Sequence, residues 1–135
     1  MHLTIVTPRK EVLSRDVDFV TLPGALGEMT ILPGHASLMS VLEVGVARWS
    51  VSGEGHDLAL NRGFAEVLRD SVRVLVETCE GCEEIDVARA RDALSRAQTR
   101  LATASRDSSI DVARAEYALK RALARLKVAG TTVHE

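Results

Sequence analysis

The sequence contains few aromatic residues and no large excess of charge of either sign. Aromatic side chains make up 3% of the 135 residues, which is too few for a surface on which nucleic-acid bases stack. Acidic residues number 19 and basic residues 17, so the chain lacks the positive charge that neutralises nucleic-acid phosphates. We therefore expect no nucleic-acid partner.

Cysteine and long hydrophobic runs are also scarce. The two cysteines cannot form the disulfide framework of a small secreted domain. No stretch of about 18 apolar residues is present, so we expect neither a membrane span nor direct membrane insertion. The N-terminus lacks a basic region followed by a long apolar run, which predicts that there is no secretory signal. Together these features favour a reducing, cytoplasmic compartment.

Residues 1–83 have the features of a β-structure. Eight of the nine glycines and all three prolines lie there, and runs such as 3–6 and 72–77 alternate between apolar and polar residues. Many short strands separated by turns are typical of an antiparallel sandwich or barrel. The predicted turns lie at residues 23–24, 33–34, 45, 53–55 and 69–71.

Residues 84–135 are rich in alanine, leucine and arginine, which are strong helix formers. Small apolar residues recur every three or four positions and predict helices over 86–104 and 110–128. Ser108 and Asp111 approximate a capping box at the start of the second helix. The chain is therefore predicted to be α+β, with a β-sandwich domain followed by an antiparallel two-helix hairpin.

The predicted hairpin is weakly cohesive. Its apolar stripe consists mainly of alanine, which buries little area at about 25 cal/mol per Å². Helices of roughly 19 residues are also marginal on their own. The hairpin therefore needs a partner: the sandwich, another protein or a ligand. Two interpretations stay open, a movable switch and a passive dimerisation or packing appendage.

A six-residue repeat marks the start of both predicted helices. Residues 85–90 read IDVARA, and the same letters return at 110–115. An acidic residue in the first turn favours the positive end of a helix, and alanine and arginine continue it. Local structure alone therefore explains much of the repeat.

Three segments together resemble a known family. Residues 2–22 read HLTIVTPRKEVLSRDVDFVTL, residues 24–42 read GALGEMTILPGHASLMSVL, and the tail contains DVARAEYALKRALARLKV. Their order, spacing and total length are similar to those of the epsilon subunit of the bacterial F-type rotary ATP synthase. The chain departs from that pattern at Ser37, where proline is common, at Arg62, where a small residue is usual, and at Cys79-Glu80-Gly81-Cys82.

The resemblance implies a ten-stranded sandwich that sits on the central stalk between the gamma subunit and the c ring. There it would help to transmit torque from proton flow to the catalytic head. The hairpin would fold against the sandwich in a compact state. In an extended state it would reach the catalytic beta subunits and block ATP hydrolysis. The protein would be non-catalytic and peripheral, on the cytoplasmic face of the bacterial plasma membrane.

By the same resemblance, Glu28 would face the c ring and His35 would lie near gamma. The alternative is that Glu28 is only solvated and that His35 is a locally hydrogen-bonded turn residue. Residues 83–135 carry ten basic and eight acidic residues, so an acidic surface of beta would attract them. The residues that would carry inhibition are Arg114, Lys120, Arg121, Arg125 and Lys127, and the alternative is a solvated helix face.

Some bacterial members of the family bind ATP in the compact hairpin, through a motif that this sequence also has. The residues that match the motif are Ile85, Asp86, Arg89 and Ala90, and further contacts map to Glu80, Arg96, Arg121 and Arg125. Arginine forks suit phosphate oxygens, and carboxylates can accept from adenine or ribose. No glycine-rich phosphate loop is present. ATP would therefore be a regulatory ligand that is bound without hydrolysis, and no cofactor is required.

Two rival functions are a free-standing ATP-binding sensor and an enzyme that uses Cys79 and Cys82. A zinc site needs about four ligands, and the chain has no second cysteine pair. A redox pair would be expected to open a helix beside a parallel sheet, whereas this pair lies at a strand-to-hairpin junction. The four histidines, among them His134, are scattered without ligand spacing. We therefore predict no metal site and no catalytic residue.

Overall fold

The computed structural model describes the backbone of residues 1–133 and the side chains of residues 1–130. His134 and the end of the predicted hairpin domain at 135 lie outside the described residues. The described part has ten strands and two long helices. These are β1 (His2–Val6), β2 (Glu11–Asp16), β3 (Phe19–Gly24), β4 (Gly27–Ile31), β5 (Leu38–Leu42), β6 (Gly45–Val51), β7 (Glu54–Leu60), β8 (Gly63–Leu68), β9 (Ser71–Val76), β10 (Cys79–Glu80), α1 (Val87–Thr103) and α2 (Val112–Val133).

The strands form one hydrogen-bonded sheet that curls into a sandwich. Its order is β10-β7-β6-β3-β5-β8-β9-β1-β2, and β4 pairs with β3. The predicted α+β class, with a sandwich of about ten strands before two helices, is confirmed. One pairing differs from the antiparallel prediction, since β1 runs parallel to β9. A parallel pair needs a long crossover, and here nearly the whole sandwich separates the two strands.

Period-two alternation places the sandwich core. Leu3 and Ile5 on β1 and Val72 and Val74 on β9 are fully buried. Complete burial of such a side chain contributes about 1.5–3 kcal/mol. Sixteen buried residues form this core among the described side chains.

Two of the predicted turns, at residues 23–24 and 45, lie within strands in the structure. Pro23 and Gly24 lie within β3, where they face Glu28 and Gly27, and the chain turns just after them. Gly45 begins β6, and glycine is needed there because a Cβ would lie 2.6 Å from the Cβ of Pro23. The turn predicted at 69–71 is confirmed.

The helix starts are set by two aspartates. The Asp86 carboxylate accepts a hydrogen bond from the backbone N–H of Arg89, and the Asp111 carboxylate accepts one from that of Arg114, both at 3.1 Å. The predicted capping box at Ser108 is wrong, because Asp111 itself caps α2. The helix therefore starts at Val112, two residues later than predicted. Both copies of the repeat are helix N-termini.

The hairpin rests on the sandwich through a small contact. α2 packs against β6 and β7, whereas α1 packs mainly against α2. Six buried residues make the interface, which we call the docking seam: Val44, Ala59, Ile85, Ala124, Val128 and Ala129. This cluster is separate from the sandwich core. The predicted domain boundary near residue 83 falls in the 3₁₀ turn Cys82–Glu84, and the division into domains stays a prediction.

Candidate functional site at the sandwich–hairpin junction

The junction contains two adjoining cavities, which we call the arginine pocket. Their volumes are about 210 Å³ and about 160 Å³, and they share Ala93, Arg96 and Arg125. Together they reach the lower part of the range of roughly 300–1,000 Å³ that is usual for small-molecule sites. The residues that line them are Glu80, Glu84, Asp86, Arg89, Ala90, Ala93, Arg96, Ala97, Arg100, Ala118, Arg121, Ala122 and Arg125.

The arginine pocket brings together seven of the eight residues that the family resemblance assigned to ATP. Five arginines and three carboxylates line it, so its charge favours an anion. Arg96 donates to Asp92 at 2.8 Å. Arg89, Arg100 and Arg121 form no ion pair with any described side chain. These guanidinium groups are available for phosphate oxygens.

One ion pair crosses the pocket. Arg125 Nε on α2 donates to Glu80 Oε1 on β10 at 2.7 Å. The two side chains are 39% and 29% exposed, so water screens the pair only in part. The pair therefore joins the hairpin to the sandwich within the arginine pocket.

The short motif of the predicted site has strong structural reasons of its own. Asp86 caps α1, Ala90 is buried in helix packing, and Ile85 is buried in the docking seam. Ile85 is thus the predicted ATP residue that does not line the arginine pocket. The second copy of the motif starts α2 in the same way. Only the first copy of the motif lies beside the arginine pocket. The prediction of an ATP site therefore depends on the pocket and not on the motif alone.

Sequence reasoning missed Arg100 and Glu84. Arg100 lies one helical turn beyond Arg96, and this spacing was a visible signal because residues four apart share a helix face. The Glu84 carboxylate accepts a hydrogen bond from the backbone N–H of Gly81 at 3.0 Å. Nothing in the sequence pattern showed that this bond would hold the Glu84 carboxylate at the pocket.

The predicted partner residues Glu28 and His35 are both exposed. Glu28 lies on β4. His35 Nδ1 donates to the carbonyl oxygen of Ala36 at 2.7 Å, which is the local hydrogen bond of the alternative interpretation. Leu26 and Leu32, which lie just before and just after β4, are also exposed. The roles of Glu28 and His35 stay predictions.

An apolar row crosses the outer face of the sandwich. The register pairs Val41 with Phe64, Phe64 with Leu75, and Leu75 with Val6, so these side chains lie side by side on four strands. Val41 is 60% and Phe64 43% exposed. A groove of about 670 Å³ adjoins the row at Val6, Phe64 and Leu75. Contiguous apolar surface of this kind is typical of a protein-binding site.

The five residues assigned to inhibition divide into two groups. Arg114, Lys120 and Lys127 are exposed. Arg121 and Arg125 are half-buried and line the arginine pocket. In this docked conformation the second pair faces inward, so the same two arginines cannot serve a nucleotide and a distant protein surface together.

Cys79 and Cys82 are free thiols. Burial raises the pKa of the Cys79 thiol, and the nearby Glu84 carboxylate raises it further. A raised pKa lowers the thiolate fraction and therefore the reactivity. Within residues 1–133, no group of three His, Cys, Asp or Glu side chains is placed to hold a metal ion. No helix in that range is long and apolar enough to cross a membrane.

Comparisons with known proteins agree with this architecture. Residues 1–81 match the family model for the β-sandwich domain of the ATP synthase delta/epsilon chain, and residues 83–130 match the model for its long α-helix domain. The ATP synthase epsilon chain of Citrifermentans bemidjiense is 48% identical over 101 residues, which cover 75% of this chain and 73% of that protein. The epsilon chain of Geobacter sulfurreducens is 47% identical over 105 residues, 78% of this chain and 76% of that one.

The chain belongs to the family of ATP synthase epsilon chains, and the resemblance predicted from the sequence is confirmed. Epsilon chains are non-catalytic subunits of their complex, and so is this chain. It is similar to a chain in the cryo-EM structure of the Euglena gracilis mitochondrial ATP synthase, OSCP/F1/c-ring. The TM-score is 0.79 and the identity 25%, over 94% of this chain and 79% of that one.

A second structure, of the central stalk and c ring of the Tetrahymena thermophila mitochondrial ATP synthase, shares the fold. The TM-score is 0.55 at 17% identity, over 98% of this chain and 95% of that one. The chain is thus similar in structure to a component of ATP synthase stalk assemblies.

Proposed function

We propose that the protein is a central-stalk subunit of a proton-driven bacterial ATP synthase, peripheral on the cytoplasmic face of the plasma membrane. The sandwich couples gamma and the c ring to the catalytic head, and the hairpin inhibits ATP hydrolysis when it leaves the sandwich. Family membership supports the stalk position. The observation that carries the regulatory part is the docking seam, which is small and separate from the sandwich core.

Torque coupling needs a stiff body with a static contact. The apolar row of Val41, Phe64, Leu75 and Val6 supplies such a contact because its members sit on four paired strands. Removing exposed apolar area from water favours association without any movement of the backbone. We assign this row to gamma, and the end of the sandwich that carries Glu28 to the c ring.

Inhibition needs a hairpin that can detach. The docking seam holds three alanines, two valines and one isoleucine, whereas the sandwich core holds sixteen buried residues, including large leucines and Trp49. Since stabilisation scales with buried apolar area, the seam opens at a much smaller free-energy cost than the sandwich. Detachment also turns Arg121 and Arg125 outward, toward an acidic surface on beta.

ATP regulates this movement in the proposal. Its phosphates would contact arginines from both helices, Arg89 and Arg96 on α1 and Arg121 and Arg125 on α2. A ligand that bridges the two helices and the sandwich binds only the docked hairpin, so it shifts the equilibrium toward that state. High ATP would therefore keep the hairpin docked and favour the active synthase.

Removal of residues 84–135 from the assembled complex tests the division of labour. We expect the shortened chain to bind gamma and support coupled synthesis, while latent ATPase activity rises. The matched variant is Phe64→Glu in the full chain, which should weaken binding to gamma and leave the hairpin intact. A shortened chain that no longer copurifies with gamma would contradict the proposal. If the protein were instead a free-standing ATP sensor, even the full chain would not copurify with gamma.

A further inference from the structure

A second fastener joins the hairpin to the sandwich, away from the arginine pocket. The Arg62 guanidinium carbon lies 4.3 Å from the centroid of the Tyr117 ring. Arg62 belongs to the connection between β7 and β8, and Tyr117 lies on α2. A cation over the face of an aromatic ring within about 6 Å is attracted by the ring's quadrupole. The contact therefore links the two units across the docking seam.

The backbone around Arg62 is held in place before any contact with the helix. The Arg62 N–H donates to Asn61 Oδ1 at 2.8 Å, and the Arg62 carbonyl accepts from the Glu77 N–H at 3.1 Å. The Asn61 N–H donates to the Thr78 carbonyl at 3.0 Å. The backbone of Asn61 and Arg62 is thus hydrogen-bonded to the connection between β9 and β10. Little conformational entropy of this segment is therefore lost when the helix docks.

The Arg62 side chain has no competing acidic partner. It forms no ion pair with a described carboxylate, and it is exposed. Tyr117 is half-buried and packs against the docking seam. It is the only aromatic residue after position 83. Lys120, three residues further along α2, places its Nζ 5.7 Å from the same centroid, so Arg62 is the nearer of two cations at this ring.

We infer that Arg62 and Tyr117 form a nucleotide-independent latch that holds the hairpin docked. Neither residue lines the arginine pocket, so ATP in that pocket would not contact either side chain. The ion pair between Glu80 and Arg125 lies inside the pocket and is exposed to competition from phosphate. The latch rests on the proposed movement of the hairpin, and it sets how often the hairpin leaves the sandwich when ATP is absent.

Hydrogen exchange of the full isolated chain without nucleotide tests the latch. Arg62→Ala and Tyr117→Leu should each speed exchange of α1 and α2 amides by about two- to fivefold, the range expected for one exposed cation–π contact. The double variant should be no faster than the faster single one, because both changes remove the same contact. Tyr117→Phe keeps the ring and should exchange like the unaltered chain. Arg15→Ala removes an exposed arginine of β2 and should change nothing.

Unchanged helix exchange in both single variants would overturn the inference. So would effects that add in the double variant, since independent changes do not share a contact. Amides of β1 and β9 report global stability, and equal acceleration there would reduce Arg62 to a stabiliser of the sandwich and also overturn the latch. The measurement contains no ATP and no gamma. Failure of ATP to protect the hairpin would therefore contradict the proposed nucleotide site alone, and an unchanged ATPase after removal of residues 84–135 would contradict inhibition alone.

Discussion

Glu80 and Arg125 lie 45 residues apart in the chain and form an ion pair of 2.7 Å across the sandwich–hairpin junction. One residue belongs to the last strand and the other to the last helix. The pair occupies the arginine pocket itself, so the guanidinium group that joins the hairpin to the sandwich also lines the cavity in which we propose that ATP binds.

Glu80→Gln should loosen the hairpin when ATP is absent. Loss of a partly exposed ion pair costs up to about 1 kcal/mol, which corresponds to a severalfold larger open fraction. Trypsin should therefore cleave at the helix arginines several times faster, because proteolysis follows the open population when opening is fast. Glu83→Gln, which alters an exposed residue of the 3₁₀ turn, is the matched control. Equal rates for the two variants would contradict a fastening role for Glu80.

ATP should raise the melting temperature of the isolated chain. A ligand at ten times its Kd stabilises the folded form by about 1.4 kcal/mol, or roughly 3–6 °C for a chain of this size. Arg89→Ala and Arg125→Ala should abolish the shift, as each removes a guanidinium from the pocket. Arg114→Ala changes the corresponding arginine of the second repeat copy and should retain it. A flat melting curve for the unaltered chain at millimolar ATP would refute the nucleotide site.

The two helix caps separate structure from binding at the repeat. Asp86→Ala and Asp111→Ala each remove a carboxylate that accepts from the third backbone N–H of a helix, at a cost of about 1 kcal/mol. Exchange in the hairpin should rise by about fivefold in both variants. Asp86→Ala alone should also weaken protection by ATP, because Asp86 lines the pocket. If ATP slowed exchange of the hairpin amides equally in both variants, Asp86 would act only as a helix cap and not as an ATP contact.

Cys79 should be a sluggish nucleophile in the folded chain. Burial, and then the Glu84 charge, raise the pKa of its thiol, so at pH 8 a Cys82→Ser variant should react with a disulfide reagent more slowly when folded than in urea. The difference between the folded and unfolded reaction rates should become smaller as the pH rises through the raised pKa. The protonated thiol is favoured by folding, so its contribution to stability is present at lower pH and is lost over the same rise.

The comparison of Cys79 reaction rates in the folded chain and in urea can also contradict this prediction. A folded rate equal to or above the unfolded rate at every pH would indicate an activated thiol and would restore the redox interpretation of the cysteine pair. Glu84→Gln removes the second cause of the raised pKa and should increase the folded rate.

Local sequence patterns predict many of the strands and helices of this architecture. Alternation at Leu3–Ile5 and Val72–Val76 marks strands, because each side chain of a strand faces the opposite side from its neighbour. The acidic residue in each copy of the repeat indicates a helix start, because a carboxylate favours the positive end of a helix, although the cap of α2 is Asp111 and not the predicted Ser108. These signals depend on neighbours within a few positions, so one sequence is sufficient to read them.

Tertiary structure decided the features that join distant residues. It placed β1 parallel to β9, and it brought Arg62 to Tyr117 and Glu80 to Arg125. Nothing within a few residues of any of these positions specifies its partner, because the partner is chosen by how whole elements pack. The sequence alone thus determined the sandwich, the helical hairpin and the family. Only the packed chain decided that five arginines meet in one pocket beside the small docking seam, because residues from two helices and from the end of the sandwich line the pocket, and no local pattern specifies how these elements pack.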